Sequence, residues 1–367
     1  MVYTPGYRLD TSDFFAYIKW FENITLGQIP YVDYHVDYPL LFWIPVIISA
    51  FVSNMATVLD AFVFMFRFLM IISDAVVAMF VFLIAKRVYD EKIAFRSAIL
   101  YATALSTAVY SFWKFDTFPL MFLMAGIYYT LENKTLHGYT AIILGFFTKL
   151  FPIIAIPFIF FRNISRLNFK DEVIKIIKMS SILVLLLYIL PSVIFSGLNK
   201  VFTHGIGDRG QDVYATTLWY AIGKCTGIVF DPVWLSRSLL FIIGSTCLIL
   251  LLYYIKNEKT DKRLLGFISI TIFLATLSNT HYSPQFSMWL TPFLAIFLCA
   301  SFGDMIMFYL YQAFNYLVYP NLYGRMYVNG EYLIGGSENP LVPALFFIMF
   351  WVFMIYINAN VFFKSLR

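Results

Sequence analysis

The sequence predicts an all-α polytopic membrane protein, and three observations support this fold class. Apolar residues make up 61% of the chain and charged residues only 13%, whereas soluble domains are about 45–50% apolar and about 25% charged. A soluble fold of this length has too little interior for that many apolar side chains. The apolar residues also form runs near membrane length, about 20 residues, separated by short basic clusters.

The apolar runs predict a bundle of about 10–12 transmembrane helices, some of them half-length. The run over 62–85 is long enough for a full span. Residues 40–53 are apolar but short, which predicts a juxtamembrane or re-entrant helix. The stretch 138–161 must enter and leave the membrane on one side, so we expect two half-length helices that break at 149–152. The other runs cover 97–113, 117–131, 179–197, 236–255, 264–279, 285–302, 305–319 and 341–363.

Basic clusters predict the orientation, because the positive-inside rule places Lys/Arg-rich connections in the cytoplasm. There are four: Lys86/Arg87/Lys92/Arg96, Arg162/Arg166/Lys170/Lys175/Lys178, Lys256/Lys259/Lys262/Arg263 and Lys364/Arg367. Alternating the spans between them assigns five segments to the outer face: 1–39, 113–117, 198–235, 280–285 and 320–340.

We expect residues 1–367 to form a single membrane domain in the cell membrane. Its predicted parts are a first outer loop with juxtamembrane helices (1–53), an N-terminal helix bundle (54–197), a large outer loop (198–235) and a C-terminal helix bundle (236–367).

Several classes of site are not indicated. The three cysteines, Cys225, Cys247 and Cys299, are far apart without a CxxC pattern, so neither a disulfide framework nor a zinc site is predicted. The net charge of +5 arises from the topology clusters, and no nucleic-acid partner is predicted. The first forty residues are too polar for the apolar core of a cleavable signal peptide.

The first outer segment contains candidate acidic and aromatic site residues. Asp10 and Asp13 fit two interpretations: acids at the start of an amphipathic helix, or a general base or metal ligand. Tyr31, Tyr34 and Tyr38 fit either an interfacial aromatic belt or a surface for a sugar or polyprenyl phosphate.

Charged residues in or next to the apolar runs are a second group of candidates. Arg67 and Asp74 lie seven residues apart within one span, where charge faces a partner or a wet cavity, and they fit either a structural ion pair with other helices or a substrate role. Asp116 either caps the following helix or has a functional role. Lys149, between the two half-helices, either snorkels or pairs with a phosphate, and we favour the phosphate. Arg209 lies in a Gly-rich outer loop that is either an ordinary flexible loop or a phosphate site.

The last candidate motif is His281-Tyr-Ser-Pro-Gln-Phe286. Pro284 is typical of the first turn of a helix, so a span is predicted to begin here. Gln285 could hydrogen-bond a sugar, although glutamine is also common at membrane interfaces.

Several of these motifs occur in the order found in one class of membrane enzymes. The ordered set is Asp13…Tyr17…Trp20, Gly27-Gln-Ile-Pro-Tyr31, Asp37-Tyr-Pro-Leu40, Arg67, Trp113-Lys-Phe-Asp116, Lys149-Leu-Phe-Pro152, Arg209-Gly210 and Ser283-Pro-Gln-Phe286. Across residues 10–290 the chain resembles the GT-C class of membrane glycosyltransferases, in particular the polyprenyl-phosphate-mannose-dependent mannosyltransferases of bacteria and archaea. Leu40 replaces a second Pro of that family, and Thr280 and His281 stand where it carries a basic residue. A membrane helix precedes the family's first Asp; here it either precedes Met1 or is missing, with the N-terminus outside.

The resemblance implies a GT-C-like bundle with an active-site loop on the outer face. A polyprenyl-phosphate sugar, with mannose expected, would enter from the outer leaflet. Asp13, or as second choice Asp10, would deprotonate a lipid-linked or glycan acceptor, and the sugar would transfer with inversion. Lys149, Arg67 or Arg209 would hold the departing phosphate. The remaining substrate-site candidates are Tyr17, Asp37, Tyr38, Asp116, His281 and Gln285. No nucleotide is required, and a divalent cation remains open.

Two other functions fit part of this pattern. Broken helices with intramembrane charge are also typical of transporters and lipid flippases, but these usually show repeated halves, and the polar residues here concentrate in the N-terminal outer loop. A non-catalytic assembly subunit would not require acids placed beside a deep lysine.

Overall fold

The computed structural model describes residues 12–56, 59–112, 114–164, 168–204, 217–280, 282–318, 327–328, 331–332 and 341–367. The α-helices are α1 (Ser12–Thr25), α2 (Trp43–Ala56), α3 (Leu59–Val88), α4 (Glu91–Ala102), α5 (Leu105–Tyr110), α6 (Thr117–Leu131), α7 (Thr135–Phe146), α8 (Ile156–Ile164), α9 (Phe169–Val184), α10 (Leu190–Ile194), α11 (Leu198–His204), α12 (Leu218–Thr226), α13 (Pro232–Lys256), α14 (Asp261–Leu277), α15 (Ser287–Phe297), α16 (Phe302–Tyr316) and α17 (Leu341–Leu366). Short 3₁₀ turns cover Leu40–Phe42, Phe151–Ala155 and Pro284–Phe286, and a π-helical turn at Leu185–Ile189 joins α9 to α10. Two antiparallel strands, β1 (Tyr327–Val328) and β2 (Glu331–Tyr332), form a small ladder.

Four helices in the described part of the chain are long and apolar enough to cross a membrane, as expected of an all-α membrane protein. They cover Ala61–Val88, Phe169–Ile194, Pro232–Lys256 and Ala344–Leu366. The helix predicted from the run 62–85 is therefore confirmed. The other apolar helices are shorter, and the predicted total of about 10–12 membrane helices stays a prediction.

The predicted break inside 138–161 is confirmed. Helix α7 ends at Phe146, a 3₁₀ turn covers Phe151–Ala155, and α8 begins at Ile156. Pro152 lies in the first turn after the break, where its missing N–H removes no helical hydrogen bond. The Phe147 carbonyl instead accepts a bond of 2.9 Å from the Leu41 amide, which ties the break to the turn before α2.

The run predicted over 97–113 forms two helices rather than one. Asp90 caps α4 by accepting a bond from the Ile93 amide, so the helix begins at Glu91, earlier than the apolar run. It ends at Ala102, and α5 follows from Leu105. The Thr103 hydroxyl bonds back to the Ile99 carbonyl at 2.7 Å, and such back-bonding often bends or ends a helix.

Small residues allow the central helices to approach closely. A Cβ on Gly126 of α6 would lie 2.6 Å from Ile142 of α7, and a Cβ on Gly138 would lie 2.5 Å from the Thr130 hydroxyl. Close backbone approach through small residues is the usual basis of helix association in lipid. The short connection through Asn133, which adopts φ 58°, makes α6 and α7 an antiparallel hairpin.

The four basic clusters meet at one end of the bundle. Buried Arg162 donates to Asp261 at 2.8 Å and to the Thr130 carbonyl at 2.8 Å. Arg87 approaches Asp261 to 3.9 Å, and Arg263 donates to the Leu366 carbonyl at 3.4 Å. These contacts join the ends of α3, α6, α8 and α17 to the start of α14. We call the end of the bundle that contains them the basic end. Their cytoplasmic location stays a prediction.

The predicted large outer loop, 198–235, contains helices. Helix α11 packs Leu198 and Val201 into a second core cluster that also contains Tyr17 and Phe42. Helix α12 begins at the Thr217 cap, and a left-handed Gly227 follows its end, as is common at helix C-termini.

Gly197, which directly precedes α11, makes an unusually close contact with the backbone of Tyr31. Tyr31 has a positive φ of 65°, uncommon for a residue with a side chain, and its carbonyl points at Gly197. A Cβ at Gly197 would lie 1.8 Å from that oxygen, so only glycine fits without movement.

We therefore expect Gly197→Ala to destabilise the protein by about 1–3 kcal/mol, as overpacking usually does. The measurement is the thermal unfolding midpoint of the detergent-solubilised protein. Gly244→Ala is the matched control: nothing lies within 4 Å of its Cβ position in α13, and alanine is the better helix former by about 1 kcal/mol. An unchanged midpoint for Gly197→Ala would contradict the contact.

The orientation can be tested by cysteine labelling in a variant without native cysteines. Val32 and Glu258 are both exposed and lie in connections predicted on opposite faces. A membrane-impermeant maleimide added to intact cells should label Val32→Cys and leave Glu258→Cys unlabelled until the cells are lysed. The reverse pattern would show that the positive-inside assignment is wrong.

Candidate functional site

Lys149 lies at the end of the bundle opposite the basic end. Helix α6 separates the two ends, and its 15 residues span about 22 Å at 1.5 Å per residue. The Lys149 side chain is only 13% exposed, and its Nζ lies 2.7 Å from Asp116 Oδ1. Four aromatic rings surround the ammonium, with Nζ-to-centroid distances of 4.9 Å (Phe115), 5.4 Å (Trp289), 5.6 Å (Tyr38) and 5.7 Å (Phe286). We call these four rings, Asp116 and Lys149 the lysine site.

The aromatic rings help the bundle tolerate a buried cation. A cation within about 6 Å of a ring centroid is attracted by the negative face of the ring. A lone buried ammonium would be costly, and pairing with a carboxylate removes most of that cost. Lys149 therefore does not snorkel to the interface; within the described residues it pairs with a carboxylate at the start of the neighbouring helix.

Asp116 does not act as the helix cap that was one interpretation of its sequence. It occupies the N-cap position of α6, but its side chain makes no capping bond. Oδ1 instead accepts from Lys149 Nζ at 2.7 Å and from Trp289 Nε1 at 2.6 Å. Asp116 is fully buried, and its second oxygen, Oδ2, has no hydrogen-bond partner among the described residues.

Gln285 lies in the turn that leads into α15, the helix that contains Trp289. The prediction that a helix begins at Pro284 is confirmed by a 3₁₀ turn over Pro284–Phe286 that leads into α15. Gln285 precedes Trp289 by four residues, about one helical turn. It is 6% exposed, and within the described part of the chain its Oε1 is buried without a partner.

The Trp289 ring is held in a fixed orientation. Phe151 stacks on it with a centroid distance of 4.2 Å and an interplanar angle of 6°, and Phe286 stacks with it at 4.4 Å. Because the indole cannot turn easily, its N–H stays directed at Asp116. Trp289 was not singled out from the sequence, in which it belongs to an ordinary apolar run, whereas Phe151 and Phe286 were members of the Lys149-Leu-Phe-Pro152 and Ser283-Pro-Gln-Phe286 motifs.

The first outer segment contributes an aromatic layer. Tyr17 is 1% exposed, and the Tyr38 ring lies 6.2 Å from Tyr17 and 4.5 Å from Phe115. Tyr31 is buried; its hydroxyl donates to the Tyr38 carbonyl at 2.8 Å and accepts from Trp43 Nε1 at 2.9 Å. Burial raises the pKa of Tyr31 above its ordinary value, so it remains a neutral donor. Tyr31 therefore supports Tyr38, and the choice between an interfacial belt and a substrate surface for these tyrosines stays a prediction.

Other predicted residues lie farther from Lys149 or have other partners. Asp37 is 57% exposed and pairs with His35 at 3.0 Å. Arg67 donates from Nε to the Phe112 carbonyl at 3.2 Å, four residues before Asp116. Asp74 accepts a bond of 2.6 Å from the Tyr101 hydroxyl.

Four predicted residues cannot be located in full. Asp10, Arg209 and His281 lie outside the described residues. For Asp13 only the backbone is described, at the second position of α1 and one helical turn before Tyr17.

No protein-family model, curated protein or solved structure matches this chain.

The lysine site combines a cation, the four aromatic rings around it, and a carboxylate whose second oxygen has no partner among the described residues. An ammonium binds phosphate or carboxylate oxygens, and acceptor oxygens bind hydroxyl or amine donors. The site is therefore suited to a ligand with an anionic part and a polar part that donates hydrogen bonds.

The ion pair itself can be tested through stability. Lys149→Met leaves Asp116 as an uncompensated buried charge, and we expect a loss of about 3–5 kcal/mol. Lys178→Met, on an exposed position of α9, should stay within about 0.5 kcal/mol of wild type. The double variant Asp116→Asn/Lys149→Met should lose clearly less than the sum of the single variants, by thermal unfolding in detergent. Strict additivity would show that the two side chains do not interact.

Proposed function

We propose that this protein is a multi-pass glycosyltransferase of the cell membrane, with a GT-C-like bundle, that transfers a sugar from a polyprenyl-phosphate donor. Mannose is the expected sugar, and the acceptor is a lipid-linked molecule or a glycan. The observation that carries the proposal is the convergence on Lys149 of motifs far apart in the sequence. The Lys149 ammonium belongs to one of these motifs. Side chains from three others surround it: Tyr38, Asp116 and Phe286.

The location of the site supports a lipid-borne substrate. The lysine site lies at the end of the bundle opposite the basic end, about 22 Å away along α6. If the basic end is cytoplasmic, the site faces the outer leaflet. Lys149 retains some exposure, so a phosphate carried on a lipid can approach it.

The proposed reaction is an inverting transfer. The acceptor oxygen attacks the anomeric carbon, the bond from that carbon to the phosphate oxygen breaks, and its electron pair leaves with the polyprenyl phosphate. The acceptor proton passes to an aspartate, for which Asp13 is our first choice and Asp10 the second. Lys149 stabilises the negative charge that develops on the phosphate.

The place of Asp13 in the fold is compatible with this role. It lies one helical turn before Tyr17 on α1. Tyr17 packs against Tyr38 and Phe115, whose rings also surround Lys149. The first turn of α1 thus lies next to the aromatic layer of the lysine site.

The test uses purified protein in lipid, radiolabelled polyprenyl-phosphate mannose and a lipid and glycan extract of the host as acceptor source. Wild type should transfer label, and Asp13→Asn should lower the rate by about 10²- to 10⁴-fold, the usual contribution of a general base. Asp10→Asn is compared in parallel. Asp171→Asn, an exposed acid on α9, should transfer at the wild-type rate.

Each other result has a definite meaning. Transfer at equal rates by wild type, Asp13→Asn and Asp10→Asn would keep the enzyme and exclude both proposed bases. No transfer by any form, with intact donor and acceptor, would exclude the proposed reaction and favour a transporter or flippase, for which broken helices are also typical.

A further inference from the structure

Helix α13 carries one arginine on an exposed, mostly apolar surface. The helix is long and apolar enough to cross a membrane, and Arg237 is its only charged residue before the last one, Lys256. Arg237 is exposed, and it has no hydrogen-bond or ion-pair partner in the part of the chain that the structure describes. A charge on a membrane-spanning helix normally faces a partner or a wet cavity. A partner for Arg237 therefore has to come from outside the described chain.

Arg237 lies on the side of α13 that faces away from the bundle. The buried residues of the helix share one face: Leu239, Ile243 and Tyr254. At 3.6 residues per turn, Arg237 lies away from that face. Three exposed apolar residues follow it along the same side of the helix: Phe241, Leu248 and Leu252. We call these three residues the apolar stripe, and Arg237 lies at one end of it.

The length of the uncharged stretch places Arg237 at the edge of the hydrocarbon layer. Residues 238–255 contain no charged side chain and span about 27 Å at 1.5 Å per residue. The hydrocarbon core of a bilayer is about 30 Å thick, so Arg237 and the exposed Lys256 lie level with the phosphates of opposite leaflets. Lys256 belongs to the basic clusters, and Arg237 therefore lies at the end of the bundle that contains the lysine site.

The residues before Arg237 have the character of a membrane interface. Trp234 precedes it by three residues, on the same side of the helix, and is 69% exposed. Ile228 and Val229, in the connection before α13, are also exposed. Tryptophan is enriched where a helix passes from hydrocarbon to headgroups. This part of the chain therefore suits the headgroup layer of the bilayer rather than bulk water.

We propose that Arg237 binds the phosphate of an anionic phospholipid, whose headgroup lies beside Trp234 and whose acyl chains lie along the apolar stripe. A guanidinium binds two phosphate oxygens at once, and the stripe is covered by the chains of the same molecule. A headgroup with net negative charge is favoured, because the guanidinium would repel the quaternary ammonium of a choline headgroup. This lipid site is separate from the lysine site and goes beyond the proposed function.

The first test is native mass spectrometry of the delipidated full chain in detergent, titrated with phosphatidylglycerol or phosphatidylcholine. Arg237→Gln should weaken binding of phosphatidylglycerol about fivefold, the usual contribution of one basic residue to attraction for anionic lipid. Binding of phosphatidylcholine should not change. Lys19→Gln is the matched control, since it removes one exposed positive charge from α1 and should change neither lipid.

A second measurement tests the depth of this surface and leaves Arg237 in place. In a variant without native cysteines, nitroxide spin labels are attached to Ser238→Cys and Leu248→Cys, both exposed positions of α13, in lipid vesicles. The label at 248 should be relaxed by oxygen, which dissolves in lipid, and shielded from a water-soluble nickel chelate. The label at 238 should be more accessible to the nickel chelate than the label at 248.

Three results would overturn the proposal. The first is binding of phosphatidylglycerol with equal affinity by wild type and Arg237→Gln. The second is competition by inorganic phosphate, because the acyl chains would then contribute nothing. The third is shielding of both spin labels from oxygen, together with a dimer in the mass spectrum, because a second copy of the chain would then cover this side of α13.

Discussion

The ion pair between Lys149 and Asp116 is the contact around which this end of the bundle is organised. Lys149 belongs to the connection between α7 and the 3₁₀ turn Phe151–Ala155, and Asp116 directly precedes α6. Trp289 of α15 donates to the same carboxylate oxygen, and the Tyr38 ring of the first outer segment lies over the ammonium. Since a charge in lipid must be paired or hydrated, the pair constrains the positions of all four segments.

The two ends of the bundle satisfy their polar groups differently. At the basic end Arg162 is fully buried, and it donates hydrogen bonds to Asp261 and to the Thr130 carbonyl. The Glu172 carboxylate accepts hydrogen bonds from the Tyr139 hydroxyl and the Lys175 ammonium. Within the described residues, the Asp261 and Glu172 carboxylates are therefore both paired with a cation. At the lysine site, by contrast, Asp116 Oδ2 has no hydrogen-bond partner among the described residues. Among the described residues, the Asp116 carboxylate is therefore less fully hydrogen-bonded than the Glu172 carboxylate, although both are buried.

The sequence was sufficient to predict the long helices and the helix break, because both depend on local pattern. Continuous apolar runs ended by basic residues predict α3 and α17, and the Lys149–Pro152 interruption predicts the end of α7. The partner of Lys149 was missed because Asp116 lies 33 residues away and a capping role explained it locally. One signal was nevertheless present: Asp116 and Lys149 are almost equally distant from Asn133, the centre of the short turn between α6 and α7. Trp289, 173 residues from Asp116, had no comparable signal.

The break in the α7–α8 stretch explains why a lysine can lie at this depth. In a continuous helix, Lys149 would project from an unbroken backbone and reach only neighbouring side chains. Where the helix stops, the chain packs against the turn before α2 through Leu41 and Phe147, which brings Tyr38 over the ammonium. Gly145 packs closely against Pro152. A Cβ at position 145 would lie 3.1 Å from the proline ring, so a residue with a side chain would crowd this contact. Irregular backbone at membrane depth is tolerated where it is buried in protein or lines a polar cavity. The same local interruption thus lets the chain pack against the turn before α2 and places a buried cation among the aromatic rings at this end of the bundle.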